Sequence, residues 1–501
     1  MREHRTFFLA TALAGLALRL FFFVYFPAIT DDSRIYADIA TNWLQHGIYG
    51  QTQEVLSAKQ IVPTDTRLPG YPAFLAAIFW LFGIGNFKAV LLTQILVDLG
   101  TCLIVADLAR RALSGRAARI AFVLAALCPF LANYASAVLT ETPEIFFTAI
   151  ALDGAVAALN RMHAAAAAKG AHWLWAATGA AIAACILLRP DGGILLAAVA
   201  LYLMADLMAA ATRFSVATRL AAPSEKTGQA PSLPGRGFAG RALFLRGSAA
   251  ALIVLVFALA PLAPWTIRNF RTLHHFQPLA PRYATESDEL ALRGFNRWVK
   301  TWIVDYASVE EIYWSVPGDR LAVEKLPARA LDGAPEAKDD PAERDATLAV
   351  IADYNQAQEM TPELDARFGQ IAADAIRAHP IRYYVVLPLM RVADMWLRPR
   401  TEILPPDVRW WEFNDDAKQS VLAVGFGLLN LAYVAAALLA VVPRPSRAPS
   451  GIRWVGLLIL FLLLRSAFLG TLENPEPRYT LECYPAIIVL ASALLAPAKP
   501  T

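Results

Sequence analysis

Charge is scarce in this chain: only 17% of its 501 residues are Asp, Glu, Lys or Arg, against about 25% in an ordinary soluble domain. The formal net charge is only +3, which gives no electrostatic footprint for nucleic acid. Cysteine is nearly absent. The four present, Cys102, Cys128, Cys185 and Cys483, sit in or beside apolar runs without CxxC spacing, so they read as small helix hydrophobes rather than a redox or zinc framework. There is no phosphate-binding glycine loop, no heptad array and no internal repeat. Histidine is rare too, at seven residues. His274 and His275 are adjacent, a poor arrangement for sharing one metal.

What is present is apolar sequence in blocks. Hydrophobic residues make up 57% of the chain, and the mean hydropathy is +0.44. Blocks near the ~20 residues that cross a bilayer mark an all-α polytopic membrane protein. Spans are expected near 6–28, 87–108, 118–135, 143–160, 172–189, 191–212, 248–267, 420–442, 454–472 and 483–497. The first apolar run is too long for the roughly 7–15 residues of a signal-peptide core and reads as a retained helix. Residues 71–83 are too short to span and read as interfacial or re-entrant. Residues 381–397 carry two charges and read as juxtamembrane.

Basic residues then set the orientation. Arg2 and Arg5, the cluster Arg110, Arg111, Arg116 and Arg119, the basic stretch 213–247, and Arg444, Arg447 and Arg453 all fall on one side, which places both termini in the cytoplasm. The opposite face receives 29–86, a turn near 136–142, the long polar segment 268–380, then 398–419 and 473–482. The Pro/Gly/Ser-rich stretch 221–240 is a linker. Within 268–380, Thr361-Pro362-Glu363 opens a helix with Leu364, Phe368, Ile371 and Ala375 on one face, and Pro380 stops it. Trp298, Trp302, Tyr306, Tyr313 and Trp314 in this segment read equally as sugar-stacking or membrane-belt residues.

The chemistry-bearing motifs lie at the outer edge. Just past the first span, DDSRIYADIATNWLQHGIYG starts with Asp31 and Asp32. Tyr36, Ile39, Ala40 and Trp43 then form an apolar face at helical spacing, as in a helix lying on a membrane surface. An ordinary polar loop would also start with acids, but such a helix would hold these at bilayer height. In DTRLPGYP, Asp65 and Arg67 precede a Pro/Gly turn and Tyr71. An arginine fixed there can clamp a phosphate or merely anchor the interface. TETPEIFF carries Glu141, LLRPDGG Arg189, PWTIRNF Arg268 and Asn269, and ENPEPRYTLECYP Glu473, Arg478 and Tyr479. Together these form a ring of acids and bases at one membrane face, suited to a ligand that is half lipid and half polar. Three charges fall inside spans, Arg19, Asp98 and Asp153. Arg19 and Asp98 are expected to pair, because an isolated charge at that depth costs several kcal/mol.

The order of these motifs resembles the GT-C superfamily of membrane glycosyltransferases, and is most similar to the branch of protein O-mannosyltransferases and the lipid A aminoarabinose transferase. The resemblance implies a bundle of about 10–13 transmembrane helices. In it, 1–267 is a seven-helix catalytic module with first external loop 29–86, 268–419 an external subdomain, and 420–501 the last spans. It implies a polyprenyl-phosphate-linked sugar donor and a glycan, lipid A, other lipid or protein acceptor, met at the extra-cytoplasmic face of a bacterial inner membrane. One carboxylate acting in a direct displacement would invert the anomeric carbon. The family's carboxylate motif is Asp-Glu with Tyr four residues after the Asp. Here that makes Asp32 the matching acid and base, with Ser33 in the Glu place and Asp31 on the other side. Arg67 matches the basic residue before a Pro and is assigned to the donor phosphate, with Arg268 and Arg478 as further phosphate ligands. Thr66 stands where the family often has an acid, and Asp65 one step away. No cofactor is required. A divalent cation is compatible with the carboxylates but is not demanded, and no metal ligands are assigned. The rival readings are a lipid-linked glycan ligase or polymerase, a transporter or flippase with its charges near the bilayer midplane, and a non-catalytic scaffold.

Overall fold

The structure is a computed structural model. It describes residues 5–55, 58–163, 171–220, 236–283, 289–331, 341–413, 417–442 and 454–496. These fall into two compact units: Met1–Ala280 with Leu439–Leu462 and Pro485–Thr501, and Pro281–Leu438 with Leu463–Tyr484. Most of the expected linker 221–240 lies outside the described residues.

The fold is helical, and among the described residues eight helices are long and apolar enough to cross a membrane. Their outer faces carry exposed Leu9, Leu13, Leu96, Val421 and Leu438, as a lipid-facing surface would. The first unit runs α1 (Arg5–Tyr25), α2 (Asp31–His46), a hairpin of β1 (Gly50–Val55) and β2 (Ala58–Pro63), α3 (Gly70–Phe82), α4 (Phe87–Ala112), α5 (Gly115–Ala126), α6 (Pro129–Tyr134), α7 (Glu141–His163), α8 (Ala171–Leu188), α9 (Gly193–Leu220), α10 (Arg236–Leu259) and α11 (Leu262–Leu273).

One expected span is broken, and a hairpin appears that was not expected. The span 118–135 is not one helix: it breaks into α5 and α6 at Pro129. Proline cannot donate to the Ala125 carbonyl four residues back. Arg19 fills the gap, donating to the carbonyls of Ala126 (2.7 Å), Ala125 (3.5 Å) and Gly15 (2.8 Å) while pairing with Asp98 at 2.6 Å. The expected Arg19–Asp98 pair is thus present, both groups essentially buried, and it also satisfies a broken helix end. The span expected near 248–267 is present within Leu245–Leu273, with a local irregularity between α10 and α11 around Pro261. The antiparallel hairpin, Gly50 opposite Pro63 and Val55 opposite Ala58, was not legible in a polar sequence with little strand alternation. Asp153, the third charge inside a span, pairs with Arg111 at 2.9 Å.

The second unit has its own core, built on Phe295, Trp298, Trp302, Ile303, Val309, Ile351, Tyr354 and Phe368. The helix expected from Thr361 is there as Pro362–Ala378, with the Thr361 hydroxyl accepting from the Leu364 amide and Leu364, Phe368 and Ala375 buried. Trp298 and Trp302 are core residues at 1% exposure. They neither stack on a sugar nor belt a membrane; of the five aromatics, Trp314 is the exposed one, at 45%.

Candidate active site

The long loop after α1 is built around α2. Thr30 caps it in a reciprocal box: its hydroxyl takes the Ser33 amide at 3.4 Å, and the Ser33 hydroxyl takes the Thr30 amide at 2.9 Å. Ser33 also donates to the Val138 carbonyl at 2.7 Å, while Ala28 and Ala137 form a backbone bridge. The position where the resembled family has its second acid is therefore a structural clasp here. It fastens the loop to the segment that leads into α7, whose first residue is Glu141. Gly47, at φ +69°, ends the helix, a conformation glycine adopts without strain. The buried side of α2 is Ser33, Ala37, Ile39, Ala40 and Asn42. Trp43, expected on the apolar face, is 39% exposed.

Asp31 and Asp32 occupy the first turn, where the helix dipole favours anions, but they face different surroundings. Asp31 is 92% exposed and pairs with Arg34 at 2.6 Å. Asp32 is 32% exposed and accepts from Arg67 Nη2 at 3.1 Å. Arg67 also lies 5.9 Å from the centre of the Tyr36 ring. Tyr36 stacks edge-on against Tyr71, whose hydroxyl donates to Gln94 at 2.8 Å. Burial above all pushes the Tyr36 phenol up to about 12; the charges it feels are those of Arg67, Asp32, Arg189 and Glu141.

These neighbours make up the candidate site. Arg189 reaches it because the turn after α8 packs directly on the 65–72 motif. A β-carbon added at Gly70 would lie 2.6 Å from the Leu187 backbone, so only glycine permits the approach. Arg189 stands 3.8 Å from Glu141, 3.7 Å from Glu144 and 3.3 Å from Asp191, the two glutamates being almost fully buried. Asp32, Arg67, Tyr36, Tyr71, Glu141 and Arg189 are therefore brought together, as their positions at one membrane edge suggested. Glu144 was overlooked. It sits one helical turn after Glu141 in the same TETPEIFF motif, and that spacing was the available signal.

Other candidates hold the loop in place. Arg268 donates to the Thr64 carbonyl at 2.7 Å and to the Tyr49 carbonyl, and stacks 5.2 Å from the Tyr49 ring and 5.3 Å from that of Trp265. Asn269, fully buried, donates to the Gln277 carbonyl at 2.7 Å. Asp65 is buried and meets His275 Nε2 at 2.7 Å, which ties the loop to the segment after α11. Between these straps lies a largely apolar groove of about 440 Å³, lined among others by Tyr49, Pro69, Leu187, Pro264 and Trp265, with Arg268 at its wall.

Glu473, Arg478 and Tyr479 belong to the second unit. There Arg478 pairs with Glu476 at 2.5 Å, the Tyr479 hydroxyl donates to the same carboxylate, and Asn474 donates to that hydroxyl at 3.0 Å. Glu473 is held by Arg282 at 2.6 Å. Among the described residues, no three His, Cys, Asp or Glu side chains are grouped to hold a metal ion.

Comparison with known proteins reaches the same region. Residues 65–221 match the family of dolichyl-phosphate-mannose-protein mannosyltransferases. No curated protein matches the sequence. Among solved structures, the chain is similar to ArnT from Cupriavidus metallidurans in the apo state (14% identity, 97% of this chain and 75% of that one, TM-score 0.32). It is also similar to the same protein bound to undecaprenyl phosphate (15%, 97% and 77%, 0.36). A third is the archaeal oligosaccharyltransferase AglB from Archaeoglobus fulgidus with an inhibitory peptide and a dolichol-phosphate (13%, 90% and 58%, 0.37). Likenesses at this level carry no residue roles across. The family match falls within the first unit and takes in Asp65, Arg67, Tyr71, Glu141 and Arg189; the chain is similar there to membrane mannosyltransferases, and its apolar helices are those of a multi-pass membrane protein.

Proposed function

We propose that the chain transfers a sugar from a polyprenyl-phosphate carrier to an acceptor hydroxyl at the extra-cytoplasmic face of a bacterial plasma membrane, with inversion and with both termini in the cytoplasm. The observation that carries this reading is the Asp32–Arg67 pair, 3.1 Å apart, in a loop that is also bordered by an apolar groove. A lipid-linked sugar needs these three elements: a carboxylate for the incoming hydroxyl, a cation for the leaving phosphate and an apolar channel for the tail.

Asp32 takes the proton as the acceptor oxygen attacks the anomeric carbon, a contribution worth typically 10²–10⁴-fold. The bond from that carbon to the phosphate oxygen breaks, and its electron pair stays on the phosphate. Arg67 has donors enough to hold Asp32 and still meet the phosphate. It stabilises the charge that grows there, where preorganised donors act most strongly. A single base facing a leaving group on the opposite side gives inversion. Arg189, set among Glu141, Glu144 and Asp191, anchors the wall beside Tyr36, and Arg268 fixes the loop against the groove. Arg478, Glu473 and Tyr479 belong to the second unit and take no step in this reading. The acceptor is a glycan, lipid A, another lipid or a protein.

The test is sugar transfer by the purified full chain in lipid nanodiscs from a labelled polyprenyl-phosphate sugar to lipid extract, with the anomeric configuration of the product read by NMR. Release of the free carrier phosphate with an inverted product supports the reading. Movement of the intact lipid-linked sugar across the bilayer without bond cleavage refutes it and favours a flippase.

A further inference from the structure

The second unit carries a cleft of about 500 Å³ that nothing in the transfer reaction calls for. It is lined by Arg282, Arg293, Arg297, Lys300, Tyr383 and Glu473, with Pro281, Tyr283 and Ala291, and its volume falls in the range of small-molecule sites. Four of these side chains are cationic and one is anionic. Glu473 is buried and already engaged, by Arg282 at 2.6 Å and Lys300 at 3.6 Å.

The remaining pair sets the chemistry. Arg293 and Arg297 lie four residues apart on the short helix α12 (Arg293–Val299), hence on one face. Both are exposed, and neither makes a side-chain hydrogen bond or ion pair among the described residues. The amides at the start of α12 are spent on Asp365, which takes Gly294 at 2.9 Å and Phe295 at 2.8 Å, so the guanidinium groups are what the cleft offers. Lys300 is half-buried. Burial first, then repulsion from Arg282 and Arg391, holds it below the ordinary lysine range against the pull of Glu473. Four cations gathered around a single committed carboxylate repel one another, and an anion seated between them removes that cost. Planar guanidinium forks match phosphate oxygens two at a time.

We infer that this cleft of the second unit binds a phosphate or diphosphate group, presented by a lipid head or by a soluble phosphorylated compound. Arg293 and Arg297 are its ligands, and the Arg282–Glu473–Lys300 cluster is its floor. The site requires nothing of the assignments made for Asp32.

The experiment measures binding by the full chain in phosphatidylcholine nanodiscs. Inorganic pyrophosphate is titrated in one arm, and nanodiscs with and without phosphatidylglycerol are compared in the other. The variants are Arg293→Gln with Arg297→Gln, and, outside the cleft, Arg377→Gln, whose side chain is exposed beside Asp374. Both cleft arginines are solvent-facing, so the double variant should keep the wild-type unfolding temperature. It should bind pyrophosphate at least about tenfold more weakly, a loss of about one charge-assisted contact, and wild-type binding should weaken as salt rises. Arg377→Gln should bind as wild type does. If pyrophosphate competes only when phosphatidylglycerol is absent, the occupant is a lipid head; if it binds equally in both nanodiscs, the occupant is soluble. Equal pyrophosphate affinity in wild type and the double variant, or no binding to wild type in either arm, overturns the inference.

Discussion

Replacing Asp32 by Asn tests the base at the one atom that matters. The amide keeps the volume of the carboxylate, and its oxygen can still accept from Arg67 Nη2, now 3.1 Å from Asp32 Oδ1. The pair is only partly shielded, with Arg67 21% and Asp32 32% exposed. Pairs of that kind contribute up to about 1 kcal/mol to folding, so stability should hardly change. Catalysis should change much more. Losing a general base lowers the rate by about 10²–10⁴-fold, or about 3–5 kcal/mol of barrier at about 1.4 kcal/mol per factor of ten. The loss should fall in kcat, with donor KM little altered, because the amide cannot take the proton but does not displace Arg67. Asp31→Asn is the internal control: that carboxylate is 92% exposed and faces Arg34, and its variant should stay within about twofold. Single-turnover transfer in nanodiscs, with thermal unfolding run alongside, reads both. An Asp32→Asn enzyme within tenfold of wild type, or an Asp31→Asn enzyme that falls as far, refutes the assignment.

Three further outcomes follow from the geometry. Arg19→Leu leaves the Asp98 carboxylate buried at 2% exposure without its partner, which should cost about 3–5 kcal/mol. The Arg19→Leu/Asp98→Asn double variant should be more stable than Arg19→Leu in detergent unfolding, and equal losses would show that the pair is not the source. Gly70→Ala forces a β-carbon to within 2.6 Å of the Leu187 backbone, whereas Gly115→Ala meets nothing within 4 Å. The first should lower both the unfolding temperature and transfer at least about tenfold, because overpacking moves the loop that carries Arg67; the second should do neither. Tyr36 titrates from an ordinary 10.0 up to about 12, chiefly through burial. A group raised on folding stabilises below its unfolded value and loses that contribution as pH climbs through the folded one. The unfolding temperature of wild type should therefore fall more steeply than that of Tyr36→Phe between about pH 10 and pH 12, and parallel curves would remove Tyr36 from the account.

The sequence alone settled the class of molecule, because a ~20-residue apolar run has one physical reading in a bilayer whatever surrounds it. It also placed Arg19 opposite Asp98 by a local argument, that charges at such depth must pair, and it found the helix after Thr361 from capping and period alone. The order of short polar motifs at span ends pointed to the first loop and to Asp32, Arg67, Glu141 and Arg189. What sequence could not supply were distances across the chain. Nothing local says that Ser33 clasps Val138, that Gly70 abuts Leu187, or that Arg268 is drawn to the carbonyls of Tyr49 and Thr64; each contact joins residues about a hundred or more positions apart. The break at Pro129 and the irregularity around Pro261 were written in the sequence but masked by the apolar runs around them. Asp31 and Asp32 are neighbours with the same chemistry, and only the packing of α2 turned one toward Arg67 and left the other in water. Patterns that repeat along a helix are fixed by the chain itself; which two side chains meet is fixed by the packing of distant segments.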